Sequence, residues 1–236
     1  MEREPKIVRM LFNDDMARAI VQGRKTATRR PPRHSIRQST NFPGQWEASD
    51  NRDLWWNLST DQLLAKFAPC APGDILIGRE CWCELDRHHY VTPDLPRDVM
   101  RGSGKFSGKN GCGYRASTSA DGDEIRRNYG YKWRPSIHMP DWAARIRRRV
   151  VSVTVERVQD ITEEDSVREG FGTSEELEEH FRNCAPPGSR MARPRDSFEA
   201  AWNSIYAAKG LAWDANPWVW RIEFERENVQ EVSDGR

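Results

Sequence analysis

The chain has 236 residues, with 37% apolar and 31% charged side chains, which suits one elaborated globular domain rather than a disordered or fibrous chain. A net charge of +1 excludes the global field of a tight nonspecific DNA binder. No run of about 18 apolar residues exists to span a membrane as a helix, and the opening MEREPKIVRM carries no apolar signal region, so a cytoplasmic location is expected.

Lys6–Phe12 predicts a strand. Asn13 is a good N-cap, and Asp14 and Asp15 suit the positive end of a helix dipole. Met16, Ile20 and Val21 line one face of the short helix that follows, and Gly23 is placed to stop it. Gly23–Arg30, GRKTATRR, then runs into extended chain favoured by Thr26 and Thr28, and Pro31 and Pro32 end it. Residues 32 to about 70 are mixed, with one short helical pattern near Thr60–Phe67. Pro72–Asp74, PGD, turns into a strand at Ile75–Arg79. Residues 84–132 hold no sustained period and several glycines, and predict a long, mobile loop or insertion. Val150–Val158 predicts a strand with Val151, Val153 and Val155 on one face. Thr162 caps a helix beginning EED, and Gly170 stops it. Thr173–Glu176 fits a capping box before a second helix through Phe181. Phe198, Ala201, Trp202 and Ile205 recur at helical spacing, and Trp218–Glu225 alternates as a last strand. The result is an α+β chain, best accommodated by a small mixed barrel with peripheral helices.

The chemistry-bearing residues concentrate in GRKTATRR: Arg24, Lys25, Arg29 and Arg30 beside two threonines, directly after a helix stop. The alternative is a basic solvated loop. Arg79 and Glu80 end the strand after PGD, which makes Glu80 either a second carboxylate for the site or half of an ion pair. Lys132–Pro140, KWRPSIHMP, offers Trp133 for stacking, Ser136 for hydrogen bonding and His138 as a group titrating near neutrality. Otherwise it is a rigid connection with Trp133 and Met139 in the core. Cys81, Cys83, His88 and His89 lie close together, but C-x-C spacing argues against zinc. Five scattered cysteines predict reduced thiols. Arg145–Arg149, RIRRR, either tracks phosphates or solvates a strand edge.

GRKTATRR has the spacing G-x-K-x-x-x-x-R. Together with PGDILI, ITEEDSVREGF (Ile161–Phe171) and the closing WVWRIEFE it resembles the ASCH domain, a branch of the PUA-like barrels. KWRPSIHMP and WDANPW (Trp213–Trp218) are similar to segments of the larger bacteriophage and prophage members. The resemblance implies a PUA-like mixed β-barrel with peripheral helices and an insertion at about 84–132. Within the family, Gly-Arg-Lys-Thr-x-Thr-x-Arg resembles the small bacterial N4-acetylcytidine amidohydrolases. That likeness implies hydrolysis of an N4-acylated cytosine, with Lys25, Thr28 and Glu169 catalytic and no cofactor or metal. Arg24, Thr26, Arg30, Glu80, Trp133, Ser136 and His138 are the candidate substrate contacts. The implied partner is a modified nucleoside or nucleotide, or RNA or single-stranded DNA.

In these roles Thr28 attacks, Lys25 accepts its proton and Glu169 protonates the leaving amine. Lys25 can act as a base only if its pKa falls from about 10.4 to near 7. Burial and the neighbouring arginines both push that way. In a regular strand Lys25 and Thr28 would point to opposite faces, so their convergence requires an irregular turn. Two other functions fit the sequence: a noncatalytic reader of a modified or flipped base, and a ribonuclease, for which no carboxylates pair at metal spacing.

Overall fold

A computed structural model describes residues 3–49, 55–86, 110–117, 127, 130–172 and 193–226. In chain order its main elements are β1 (Ile7–Leu11), α1 (Asp14–Val21), β2 (Ala27–Arg30), β3 (Ile36–Gln38), β4 (Trp46–Ser49), β5 (Trp55–Leu58), α2 (Thr60–Phe67), β6 (Ile75–Arg79), β7 (Trp82–Asp86), β8 (Asn110–Tyr114), β9 (Ile146–Arg157), α3 (Glu163–Arg168), α4 (Pro194–Tyr206) and β10 (Trp218–Arg226). The expected α+β class holds. Among the described residues no helix is long and apolar enough to cross a membrane.

The chain divides into two compact units, one of Met1–Val21, Asp74–Arg149 and Glu225–Arg236, the other of Gln22–Gly73 and Val150–Phe224. In the first unit β1 runs parallel to β6, Ile7 opposite Ile75, and β6 runs antiparallel to the opening residues of β9, Ile75 opposite Arg149. Gly78 permits close strand contact, since a Cβ there would stand 2.6 Å from Ile146 Cγ2. Asn13 caps α1 as expected, its Oδ1 accepting from the Met16 amide at 2.9 Å. The buried face of that helix is Ala17, Ala19 and Ile20; Val21, expected inward, is exposed because it falls at the helix end.

The irregular segment expected at 84–132 needs a correction at its start and in its interior. Asn110–Tyr114 is a strand, paired antiparallel with Trp82–Asp86. Its two glycines and short length hide the period. Trp82 and Tyr114 then pack with Ile77, Met139, Ala143 and Ala144 in the core of this unit.

In the second unit β2 pairs antiparallel with β10, Thr28 opposite Ile222. Residues read as mixed fold into a three-stranded sheet, β3-β4-β5, with Ala48 opposite both Ile36 and Trp56. Its strands are too short to show alternation. α2 forms at Thr60–Phe67 as the pattern predicts, its start fixed by a capping box between Ser59 and Gln62. The helical spacing of Phe198 and Trp202 puts both in a cluster with Val158, Ile161, Tyr206, Trp213 and Val219. β9 starts earlier than expected and continues into this unit beside β10; Val153 is buried along it, whereas Val151 is exposed. The pairings leave β1 an edge in one unit and β2 an edge in the other, so the described strands close no barrel. The helix expected from Thr173 through Phe181 lies outside the described residues.

Candidate functional site

GRKTATRR folds around the end of α3. Thr162 starts that helix by accepting the Asp165 amide at 3.1 Å, and Gly170 ends it at φ 96°. The last carbonyls of a helix have no partner within it. Here the neighbouring segment supplies donors. Thr26 N reaches Arg168 O at 2.8 Å, Lys25 Nζ reaches Glu169 O at 2.8 Å and Arg24 Nη1 reaches Gly170 O at 2.9 Å. Two of the three donors are cations, the sign favoured at a helix C-terminus. Gly23, at φ 80°, makes the turn that lets successive residues face the helix end.

Lys25 is fully enclosed, and its Nζ also donates to Glu169 Oε2 at 2.5 Å. Burial is the largest influence on the amine and lowers its pKa. Glu169 opposes that shift, and Arg30 and Arg29 add to it. Arg29 has no exposed side-chain surface and contacts three carboxylates: Nε to Glu156 Oε1 at 2.6 Å, Nη2 to Asp165 Oδ2 at 2.9 Å and Nη1 to Glu169 Oε1 at 3.4 Å. Behind it Arg221 Nη2 donates to Asp165 Oδ1 at 2.9 Å and to Glu223 Oε1 at 2.5 Å. Ser152 Oγ and Arg168 Nη1 complete Glu223 at 2.8 Å and 3.2 Å. Burial raises the pKa of Glu156, whereas the Ser152 hydrogen bond leads the lowering at Glu223.

Lys25 and Glu169 are thus brought together as expected. Thr28 is not joined to them. It is buried on β2, and among the described residues its hydroxyl donates no hydrogen bond. Lys25 precedes the strand, and Lys25 and Arg29, four residues apart in nearly extended chain, reach the same carboxylate. Arg30 is half-buried and donates to Tyr206 Oη at 3.3 Å. Thr26 contributes backbone: its carbonyl accepts from Phe224 N at 2.9 Å.

The remaining candidates belong to the first unit. Glu80, fully buried, binds Arg145 through both oxygens at 2.8 and 2.9 Å, and burial raises its pKa. The ion-pair reading of Glu80 is the one the geometry displays. Arg145 also lies 4.2 Å over the Tyr114 ring, and Arg148 donates to Ile20 O at 2.7 Å. These contacts correct the solvated-edge reading of RIRRR: residues 146–149 pair with β6, and Arg145 and Arg148 find partners within the unit. Ser136–His138 is a single 3-10 turn with His138 exposed and the following Met139 in the core. Trp133 is half-buried. Cys81, Cys83 and Cys112 are free thiols, and burial pushes Cys112 up to about 11. Among the described residues no group of His, Cys, Asp or Glu gathers with metal-binding geometry. His88, His89 and Cys184 lie outside them.

Sequence reasoning did not select Glu156, Asp165, Arg221 or Glu223, and it treated Arg29 only as a source of positive charge. Two weak signals were available: the shared parity of Lys25 and Arg29, and that of Arg221 and Glu223 on an alternating strand. Comparison with protein-family models, with curated proteins and with solved structures finds no match.

Proposed function

We propose that the chain is an ASCH-like, PUA-like protein that hydrolyses the N4-acyl amide of a modified cytosine nucleoside or nucleotide. The observation that carries this reading is the enclosed Lys25–Glu169 pair within GRKTATRR. Moving one proton across the 2.5 Å contact converts ammonium and carboxylate into a neutral amine and a carboxylic acid. Burial favours the neutral amine, as the lowered Lys25 pKa reflects. The two products are the base and the acid that amide cleavage needs.

The steps balance. Thr28 Oγ forms a bond to the acyl carbon and gives its proton to Lys25 Nζ. The carbon–N4 bond then breaks as Glu169 protonates the leaving amine, which restores the ion pair. Water cleaves the Thr28 ester, returning a proton to Oγ and releasing the acid. Catalytic hydrogen bonds commonly tighten only in the substrate complex, so the absence of a Thr28–Lys25 hydrogen bond is compatible with attack. The test is mass spectrometry of N4-acetylcytidine, free and within RNA digests, after incubation with excess protein. Turnover abolished by Lys25→Ala and Thr28→Ala is expected. Survival of every acylated cytidine with wild-type protein would refute the reading.

One observation favours a second reading. The lack of a hydrogen bond between Thr28 and Lys25 suits a noncatalytic reader that binds a modified base. That reading predicts salt-dependent binding of modified oligonucleotides without product. Equal affinity for modified and unmodified strands would refute it.

A further inference from the structure

The charges around Arg29 have a definite bookkeeping. One guanidinium, with no exposed side-chain surface, faces Glu156 from β9 and both Asp165 and Glu169 from the α3 segment. The surplus negative charge is answered on the far side of each carboxylate. Lys25 takes Glu169 Oε2, and Arg221 from β10 takes Asp165 Oδ1 at 2.9 Å and approaches Glu156 Oε2 at 3.9 Å. Arg30 acts on Lys25 from β2, and Glu223 and Arg168 stand next outward. Each oxygen of Glu169 therefore has its own cation: Oε1 has Arg29 and Oε2 has Lys25.

A carboxylate at a helix end can rotate about its last torsion. A planar fork whose Nε and Nη2 are already held by Glu156 and Asp165 cannot follow that rotation, so its third donor, Nη1, fixes where Oε1 must lie. We propose that Arg29 is a positioning residue that turns Glu169 Oε2 onto Lys25 Nζ and so holds the line along which their proton moves. The kinetic consequence rests on the amidohydrolase reading; the geometric one does not.

Two variants of the full chain separate the roles of charge and fork. Arg29→Lys keeps the positive charge but not three fixed donors. Its kcat on N4-acetylcytidine should fall by about 100-fold, the scale of an ångström-level misplacement, with KM little changed and Lys25 titrating below the wild-type pH, because the Glu169 contact that raises its pKa is no longer aligned. Arg29→Met removes the fork and the charge together, so its kcat should fall at least as far. The titration is read without substrate, by NMR of the Lys25 Nζ in protein labelled with 15N-lysine, and thermal melting reports the folded fraction. Wild-type kcat in folded Arg29→Lys overturns the proposal. So does an unshifted Lys25 titration in folded Arg29→Lys. Activity lost only in step with folded protein also overturns it. If Arg29→Met does not fold, the Lys variant decides. If wild-type protein turns over no acylated cytidine, the enzymatic reading fails and the Lys25 titration of Arg29→Lys still decides the positioning.

Discussion

Glu169→Gln removes the anion from an amine that has no exposed surface. The folded variant has two options. It can keep an unpaired buried ammonium, a loss of about 3–5 kcal/mol for breaking a buried pair. Alternatively Lys25 can shed its proton before burial. From its ordinary value of 10.5, that costs about 5 kcal/mol at pH 7 and about 2 kcal/mol at pH 9, at about 1.4 kcal/mol per pH unit. The second route caps the first. Arg29 loses only its 3.4 Å contact and keeps Glu156 and Asp165, so little else contributes. The sign follows from proton counting: the unfolded variant binds a proton at Lys25 that the folded variant has released. Stability relative to wild type therefore rises with pH up to the ordinary lysine value. Urea unfolding of both proteins at pH 7 and pH 9 measures it. The expected deficit is about 3–5 kcal/mol at the lower pH and about 2 kcal/mol at the higher. A deficit equal at both pH values, or below about 1 kcal/mol at pH 7, would show that the pair behaves like a solvated surface bridge.

Thr28→Ala should abolish turnover of N4-acetylcytidine while costing about 1 kcal/mol of stability, because the hydroxyl donates no hydrogen bond among the described residues. Retained turnover would remove Thr28 as the nucleophile and favour the reader. Gly78→Ala would drive a methyl to 2.6 Å from Ile146 Cγ2 and 2.9 Å from its Cβ. A loss of about 1–3 kcal/mol is expected on thermal melting, and combined with Ile146→Ala the two losses should sum to less than their separate values. Tyr114→Phe leaves the Ala143 carbonyl without a 2.7 Å donor inside the core, which should cost about 1–2 kcal/mol; an unchanged melting temperature would show that the carbonyl finds another partner.

Local chemistry was legible in the sequence because it acts over a few residues. Asn13 and Thr162 cap helices through bonds to amides three positions on, and Gly23 and Gly170 stop helices because they adopt positive φ at no steric cost. Alternation in the closing strand placed Trp220, Ile222 and Phe224 inward. Asn110–Tyr114 escaped because a five-residue strand with two glycines carries no period, and its identity depends on a partner, Trp82–Asp86, outside its own segment. The candidate site divides the same way. GRKTATRR by itself announced a concentration of cations after a helix stop, and the family resemblance paired Lys25 with Glu169. Which carboxylates neutralise Arg29 was decided by tertiary structure alone. Glu156, Asp165 and Glu169 lie 127, 136 and 140 residues from Arg29 in the chain. Burial makes each of those contacts obligatory, since a charge withdrawn from water must find its counterion nearby. The side of the segment that meets α3 is the one carrying Lys25 and Arg29, and it collects the charges because that is where the buried carboxylates stand.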